Sequence, residues 1–278
     1  MNPGGTSIKS IVITGSSSGI GKATAKYFAK RGWRVAATLR APEREDELNQ
    51  IDNVTIYKLD VTDEANIEEA ARQIIGDLGT VDVVLNNAGY GLMGPFEAAS
   101  PEQVRRQFET NVFGLMNVTR AFLPHFRANR AGLFLNVSSI NGLTTLPFGS
   151  LYIGTKFAVE GFSETLAYEL SELGIQVKLI EPGGVDTDFG GRSLIFATRE
   201  GLTDYDEALG RFQANFENAG LSSSPTEDIA RVIYEAATDG TDRLRYLVGA
   251  DAEALYHLRQ ARGDEGFIVL MRRRVLAE

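Results

Sequence analysis

The stretch from Ser10 to Phe28, SIVITGSSSGIGKATAKYF, decides the fold. It opens on a β-branched run, Ser10–Thr14, turns through Gly15, Gly19 and Gly21, and runs on through Ile20, Ala23, Tyr27 and Phe28, apolar residues at three- and four-residue spacing. That order reads as strand, glycine turn and half-buried helix. Glycine at such a turn permits a tight bend and a close approach of ligand to backbone. The helix N-terminus meanwhile offers unpaired N–H groups and the positive end of its dipole to a pyrophosphate. Thr14, Gly15, Ser17, Ser18, Gly19, Ile20 and Gly21 are therefore the first candidate binding residues.

Outward from this turn the alternation repeats. Strands are expected at Ser10–Thr14, Arg34–Leu39, Thr55–Leu59, Val81–Leu85, Leu133–Val137, Gln176–Ile180 and Leu244–Val248. Between them Ile20–Lys30, Glu64–Leu78, Glu102–Arg127, Leu151–Leu173 and Thr226–Ala237 carry helical spacing of apolar residues. Such alternation feeds a parallel sheet, so the fold expected is α/β and doubly wound: seven parallel strands with helices on both faces. The last of these helices is expected to start in a capping box, Ser224-Pro225-Thr226-Glu227, with Pro225 at its first position. Residues 184–224 break the rhythm and are read as a long loop acting as a lid over a binding site. The tail from Asp251 carries one weak apolar run, Phe267–Met271, followed by three arginines read as a solvated or interface face.

At 278 residues and 43% hydrophobic content the chain suffices for one sizeable core, so residues 10–278 are read as one domain behind a flexible 1–9 segment. A formal net charge of −9 sets the molecular field against polyanions, which excludes nucleic acid and acidic membranes as expected partners and leaves small molecules. The absence of cysteine removes disulfides and thiolate zinc sites, and no metal site is expected. No signal-peptide or membrane-spanning run is visible, so a cytoplasmic protein is expected. Asn53, Asn117 and Asn136 open glycosylation-like tripeptides that are read as chance for that reason.

Two rival motifs overlap the glycine turn. Gly15 to Gly19 satisfies G-x-S-x-G, the nucleophile elbow of a hydrolase with Ser17 as nucleophile, and His257 follows it in the order such an enzyme needs. That reading leaves Gly21 without a purpose. Gly21-Lys22 suggests a phosphate-binding loop, but Ala23 stands where a hydroxyl is required and Ser16 where the first glycine belongs. Downstream, the second strand ends Thr38-Leu39-Arg40. A carboxylate there would bind the ribose 2′-hydroxyl of NAD, whereas an arginine meets the 2′-phosphate of NADP. Arg40, with Arg44 close behind, points to NADP(H), with NAD(H) as the lesser option.

Tyr152 and Lys156 stand one helical turn apart after the fifth strand, on the side where open α/β sheets bind ligands. A phenol of pKa near 10 must fall by roughly 3 units, about 4 kcal/mol, to trade protons near neutrality. One ammonium roughly 4 Å away at an effective dielectric near 20 supplies about that much. With these motifs together the chain resembles the short-chain dehydrogenase/reductase family, over roughly Lys9 to Thr187 and plausibly to Val248. The resemblance rests on Thr14–Gly21, on Asp60-Val61 after the third strand and on Asn86-Asn87-Ala88-Gly89 after the fourth. It rests further on Asn111, on Ser139 thirteen residues before Tyr152, and on Pro182-Gly183-Gly184-Val185-Asp186-Thr187. Ala37–Arg40, Asn86–Gly94 and Leu146–Lys156 look like its hydroxysteroid and retinol dehydrogenase branch.

What the resemblance implies is a Rossmann-type domain and hydride transfer between nicotinamide and a carbonyl carbon. Tyr152 would exchange the alcohol proton, Ser139 would hydrogen-bond the carbonyl oxygen, and Lys156 would hold the ribose and lower the Tyr152 pKa. Asn111 would anchor a water through which protons leave. Asp60 and Val61 would meet the adenine, Asn87, Ala88 and Gly89 would support the turn, and Pro182, Gly183, Val185 and Thr187 would lie at the nicotinamide. Ser138, the neighbour of Ser139, would point to the other side of its strand. Leu92, Met93, Leu146, Phe148, Phe189 and Phe196 would line an apolar substrate pocket. A homodimer or homotetramer paired through the fourth and fifth helices is also implied. The alternatives to this enzyme are a non-catalytic NADP(H) sensor and the serine hydrolase built on Ser17.

Overall fold

A computed structural model describes residues 8–186, 193–218 and 223–276. The first strand, β1 (Ser10–Thr14), is buried along its whole length and enters helix α1 (Gly19–Ala29) through the glycine turn. Its neighbour β2 (Arg34–Leu39) leads to β3 (Val54–Lys58), and α2 (Glu64–Leu78) follows. Asp63 starts α2 by accepting a hydrogen bond from the Asn66 N–H. Then come β4 (Val83–Asn86) and a short strand β5 (Gly91–Met93).

The single long helix expected over Glu102–Arg127 is built in three pieces. Helix α3 (Pro101–Phe108) opens in a capping box of Ser100 and Gln103, a π-turn spans Glu109–Phe113, and α4 (Gly114–Asn129) completes it. Strand β6 (Gly132–Val137), helix α5 (Ser150–Ser171) and strand β7 (Ile175–Pro182) follow. Two-residue β8 (Val185–Asp186) and three-residue β9 (Leu194–Phe196) precede α6 (Asp206–Asn218). The chain ends through β10 (Ser224–Pro225), α7 (Thr226–Thr238), β11 (Arg245–Val248) and α8 (Ala250–Val275).

The sheet is seven-stranded in the order β11-β7-β6-β4-β1-β2-β3, and its recorded pairings are parallel. Its alternation sorts side chains to two cores. Ile11 and Ile13 join Phe28, Trp33, Ile229, Ile233 and Tyr246 on one face. Val12 joins Ile67, Ile74, Val118, Phe122, Leu166 and Leu170 on the other. The chain is thus a doubly wound Rossmann-type α/β fold. The order reverses between β1 and β4, and at such a switch point a crevice opens beyond the carboxyl ends of the strands.

Three expectations are corrected. The capping box at Ser224 does not form: α7 begins at Thr226, Pro225 is its N-cap with no side-chain bond, and Ser224 pairs with Val185. The backbone of Ser224 is taken by the Gly184 carbonyl at 2.8 Å, so its residue belongs to a strand rather than a cap. The segment read as a loop over 184–224 contains helix α6, supported by an Arg211–Glu207 pair one turn apart at 2.6 Å. The tail, for which no element is expected beyond one weak apolar run, is the 26-residue α8, kinked at Gly263, whose φ is 66°. Phe267 and Met271 of its apolar run are buried, and Arg272, Arg273 and Arg274 are exposed.

Candidate active site

The glycine turn is held from below by the strand across the switch point. Thr14 Oγ1 accepts the N–H groups of Asn87 and Ala88 at 2.9 and 3.1 Å and donates to the Leu85 carbonyl. Asn87 Nδ2 returns two bonds, to the carbonyls of Thr14 and Gly15. Gly15 and Gly19 take φ of 71° and 54°, a region costly to side chains. Gly21 is needed for contact: a Cβ there would stand 2.3 Å from the Gly15 carbonyl oxygen. Ser18 caps α1 by position without a side-chain bond, so the first N–H groups of that helix face outward unclaimed by a cap. Ser17 is exposed and Ile20 half-buried.

Around this turn, the other candidate cofactor residues fall into place with differing jobs. Asp60 spends one carboxylate oxygen on Thr62, accepting from its N–H and hydroxyl at 3.0 and 2.8 Å. Val61 packs where a side chain on Gly114 would otherwise intrude. Arg40 is exposed just past β2, and among the described residues it has no ion pair. The nearest acidic side chain in sequence that is buried, Glu45, is consumed: it accepts the N–H groups of Glu47 and Leu48 and meets Lys22 at 3.0 Å. Gly183 donates to the Val248 carbonyl, Val185 pairs in β8, and Thr187 and Phe189 lie outside the described residues.

Tyr152, Ser139 and Lys156 converge at the carboxyl ends of β6 and β7. Ser139 is buried in extended backbone, where its Oγ accepts from the Asn141 N–H at 3.1 Å and donates to the Pro182 carbonyl. It also hydrogen-bonds Tyr152, a contact that favours the phenolate. Ser138 faces the opposite way, toward Glu160, as strand alternation requires. Lys156 reaches down to the Val137 carbonyl at 2.9 Å, with its nitrogen 5.7 Å from the centre of the Tyr152 ring.

Burial sets the acidities here and corrects the simple ammonium argument. Desolvation pushes the Tyr152 phenol above its ordinary value, against the Ser139 hydrogen bond that favours ionisation. The same desolvation pulls Lys156 down to about 8, opposed by the negative charge of Glu160. The two groups thus lie together, Lys156 buried and Tyr152 half-buried, and one N–H of the ammonium is taken by the Val137 carbonyl.

Asn111 lies in the π-turn, and the extra residue of that turn aims its side chain at the loop after β4. Its Oδ1 accepts from the Tyr90 N–H at 3.0 Å, while Nδ2 donates to the Tyr90 carbonyl and to Thr155 Oγ1. Thr155 in turn donates to the Tyr152 carbonyl at 2.6 Å, so Asn111 ties the Asn87–Gly89 loop to the helix that carries Tyr152. A buried ladder beneath the site was not foreseen. Asn86 Nδ2 donates to Asn136 Oδ1, and Asn136 Nδ2 donates to Ser163 Oγ at 2.8 Å. Asparagine near the end of two strands was the available signal, and the register pairs the two directly. Asn136 is fully buried, which bars modification of that tripeptide in the folded chain.

The apolar residues divide. Leu92 is core, packed with Leu151 and Ala197, whereas Met93 and Phe196 sit opposite each other in the β5–β9 pair and Leu146 is half-buried. Phe148, with φ of 58°, stacks edge-on against Phe212 of α6 at 5.5 Å. Helix α6 is anchored in turn to the end of α8, with Arg211 donating to the Leu276 carbonyl and Asn215 to that of Val275. Neither histidine serves Ser17 among the described residues. His125 Nε2 accepts from Val81 N–H at the far end of β4, and His257 lies on α8 against Tyr256.

The model for short chain dehydrogenases matches residues 9–194. The chain belongs to the short chain dehydrogenase family. It is 33% identical over 255 residues to retinol dehydrogenase 8 of Bos taurus, covering 85% of this chain and 80% of that one. A short-chain dehydrogenase structure from Streptomyces avermitilis superposes with a TM-score of 0.84 at 33% identity, over 93% and 95% of the two chains. An alcohol dehydrogenase from the archaeon Thermococcus sibiricus, complexed with 5-hydroxy-NADP, gives 0.70 at 25% identity, over 87% and 97%. Among the described residues no helix is long and apolar enough to cross a membrane, and no cluster of ligating side chains could hold a metal ion.

Proposed function

We propose that this member of the family is an NADP(H)-dependent oxidoreductase interconverting a carbonyl and a secondary alcohol. The observation that carries the reading is the convergence of Ser139, Tyr152 and Lys156 beside a helix N-terminus without a side-chain cap. The donor set suits a dinucleotide: the N–H groups at the start of α1 face outward, and the strand after them ends on an exposed arginine with no carboxylate in the last two positions. Thr14 to Gly21 would hold the pyrophosphate, Arg40 the 2′-phosphate, Asp60 and Val61 the adenine, and Pro182 to Thr187 the nicotinamide end. When bound, the dinucleotide supplies or accepts the hydride.

The chain's own residues handle the proton. Ser139 orients the substrate oxygen toward Tyr152, whose hydroxyl donates during reduction and accepts during oxidation. Lys156 holds the ribose and places a positive charge beside the phenol. Asn111, through Tyr90 and Thr155, keeps the cofactor loop and the helix bearing Tyr152 in register, and Asn111 would anchor the water through which protons leave. Met93, Leu146, Phe148 and Phe196 give the substrate an apolar wall. Helix α6, within the 184–224 segment, closes over it as the lid of the 10–278 domain. The likeness to a retinol dehydrogenase supports an apolar alcohol or ketone as substrate.

Oxidation of NADPH and NADH with a panel of apolar ketones tests this. Turnover with NADPH favoured over NADH is expected, and Arg40→Asp is expected to reverse the ratio of kcat/KM for the two cofactors by about 10- to 100-fold, since a charge-assisted phosphate contact contributes about 1.5–3 kcal/mol. An unchanged ratio would refute the role of Arg40. Phe113, Phe157 and Tyr168, all exposed on the α4 and α5 side, support a homodimer or homotetramer. Light scattering should then give at least twice the chain mass.

A further inference from the structure

One turn beyond Lys156 on the same helix stands Glu160, a buried carboxyl that the proton-transfer scheme above does not use. It belongs to a cluster drawn from three elements. Arg245 of β11 meets Glu160 at 3.1 Å and Glu181 of β7 at 3.3 Å through Nε, and meets the half-exposed Glu164 through a terminal nitrogen at 2.5 Å. One guanidinium thus faces three carboxyl groups. Two of those, Glu160 and Glu181, are out of water; Ser138 lies against Glu160, while among the described residues neither Glu181 oxygen accepts a well-aligned N–H or O–H bond and Arg245 meets it only as an ion pair.

Two buried carboxylates meeting one shared cation are strongly disfavoured when both are charged. A single proton held between them resolves the charge and lets one carboxyl donate to the other. Burial, and then the charge of Glu160, push Glu181 up to about 9, so the proton stays through neutrality. Burial raises Glu160 as well, so the proton and the one remaining negative charge are divided between the two carboxyls, and only the share on Glu160 faces Lys156. Around the same space, Lys156 is bonded to the Val137 carbonyl, Ser138 follows immediately, and a side chain on Gly142 would stand 2.7 Å from Ser138 Oγ and 2.8 Å from Glu160 Cγ. Glu160 thus stands one helical turn from Lys156 and within reach of its charge.

We infer that Glu160 is a positioning residue whose carboxylate, sharing one proton with Glu181, keeps the buried Lys156 ammonium charged beneath Tyr152. The inference rests on the Tyr152 and Lys156 roles proposed above. The charged groups facing the pair are Lys156 and Glu164 from α5, Arg245 from β11 and Arg243 just before it. Lys178 of β7 is turned to the other face of the sheet, where it is bonded to Asp239 and the Ala236 carbonyl.

The two carboxyls then have opposite influence. Glu160→Gln removes the charge nearest Lys156, so the ammonium should lose its proton at lower pH. Glu181→Gln leaves Glu160 as sole owner of the negative charge, with an amide to donate to it, so Lys156 should hold its proton to higher pH. The readout is the pH titration of the Lys156 Cε signal in 13C-lysine-labelled protein without cofactor, assigned by loss of the signal in Lys156→Arg. A fall of about one unit in Glu160→Gln and a rise in Glu181→Gln are expected, with Glu160→Asp restoring a value near the native one.

Shifts in the same direction, or none, would overturn the inference. If Glu160→Gln does not fold, the rise in Glu181→Gln decides alone. The alkaline limb of ketone reduction should move with the titration in kcat, with KM for the ketone little changed. Failure of the underlying reading is seen separately, as Tyr152→Phe retaining native turnover. If that variant is inactive while the lysine titration is the same in all carboxyl variants, only the Glu160 assignment falls.

Discussion

Tyr152→Phe should lower kcat for ketone reduction by about 10²- to 10⁴-fold, the range of a positioned acid or base, while cofactor affinity stays near native. The phenyl ring fills the same space, so packing is preserved and the loss is chemical. What disappears is a hydroxyl that burial keeps protonated and that Ser139 holds in place. The pH behaviour of the native enzyme follows with a definite sign. A raised phenol pKa keeps the acid form through neutrality, which suits reduction. Lys156, near 8, is about nine-tenths charged at pH 7 and loses its charge above 8. Reduction should therefore hold to about pH 8 and then fall, whereas alcohol oxidation, which needs the phenolate, should still be rising there. Steady-state rates in both directions across pH 6–10 would check this. A Phe variant as fast as the native enzyme would remove Tyr152 from the chemistry.

Gly21→Ala should be strongly damaging for the addition of a single methyl group. The added carbon would meet the Gly15 carbonyl oxygen at 2.3 Å and Asn87 Nδ2 at 2.6 Å, both parts of the same hydrogen-bonded frame. Relief requires the turn to part from α1 or Asn87 to leave it. Either movement breaks bonds that link β1 to β4. Overpacking of this kind costs about 1–3 kcal/mol, which lowers Tm by about 2–12 °C at this chain size. The helix N-terminus would also be displaced from the pyrophosphate, so NADP(H) affinity should fall by more than tenfold. Thermal unfolding with and without NADPH separates the two effects. A variant with native Tm and native cofactor-induced stabilisation would show that the close approach is unimportant.

The residues legible in advance were those whose jobs are local. Ser10–Thr14 followed by three spaced glycines could be read because a tight turn and a helix start are properties of neighbouring residues. The four-residue interval of Tyr152 and Lys156 could be read because helical periodicity places them on one face. The strand that begins at Arg34 ends at Leu39 as expected, and Arg40 stands just beyond it. The misreadings have equally physical causes. Ser224 had the composition of a cap, yet the Gly184 carbonyl and Val185 claimed its backbone from afar. Helix α6 does carry Leu209, Phe212 and Phe216 at helical spacing, but in a stretch rich in glycine and charge that hid it, and its hold on the molecule comes from Phe148 and the last carbonyls of α8.

The acidity of the site also escaped the sequence. A lysine four residues from a tyrosine invites the expectation of a lowered phenol pKa, but the balance depends on how far both groups are removed from water. It depends too on Glu181 and Arg245, which stand far from Tyr152 in the chain.

By itself, then, the order of residues determined the doubly wound fold, the turn offered to a dinucleotide and the side chains proposed to move a proton, because periodicity, glycine freedom and helix ends act over a few residues. Tertiary structure alone decided the burial that shifts the acidities in the pocket, the Asn111 tie between loop and helix, and the contact of α6 with α8. Those depend on desolvation and on contacts between segments distant in the chain, which no local pattern records.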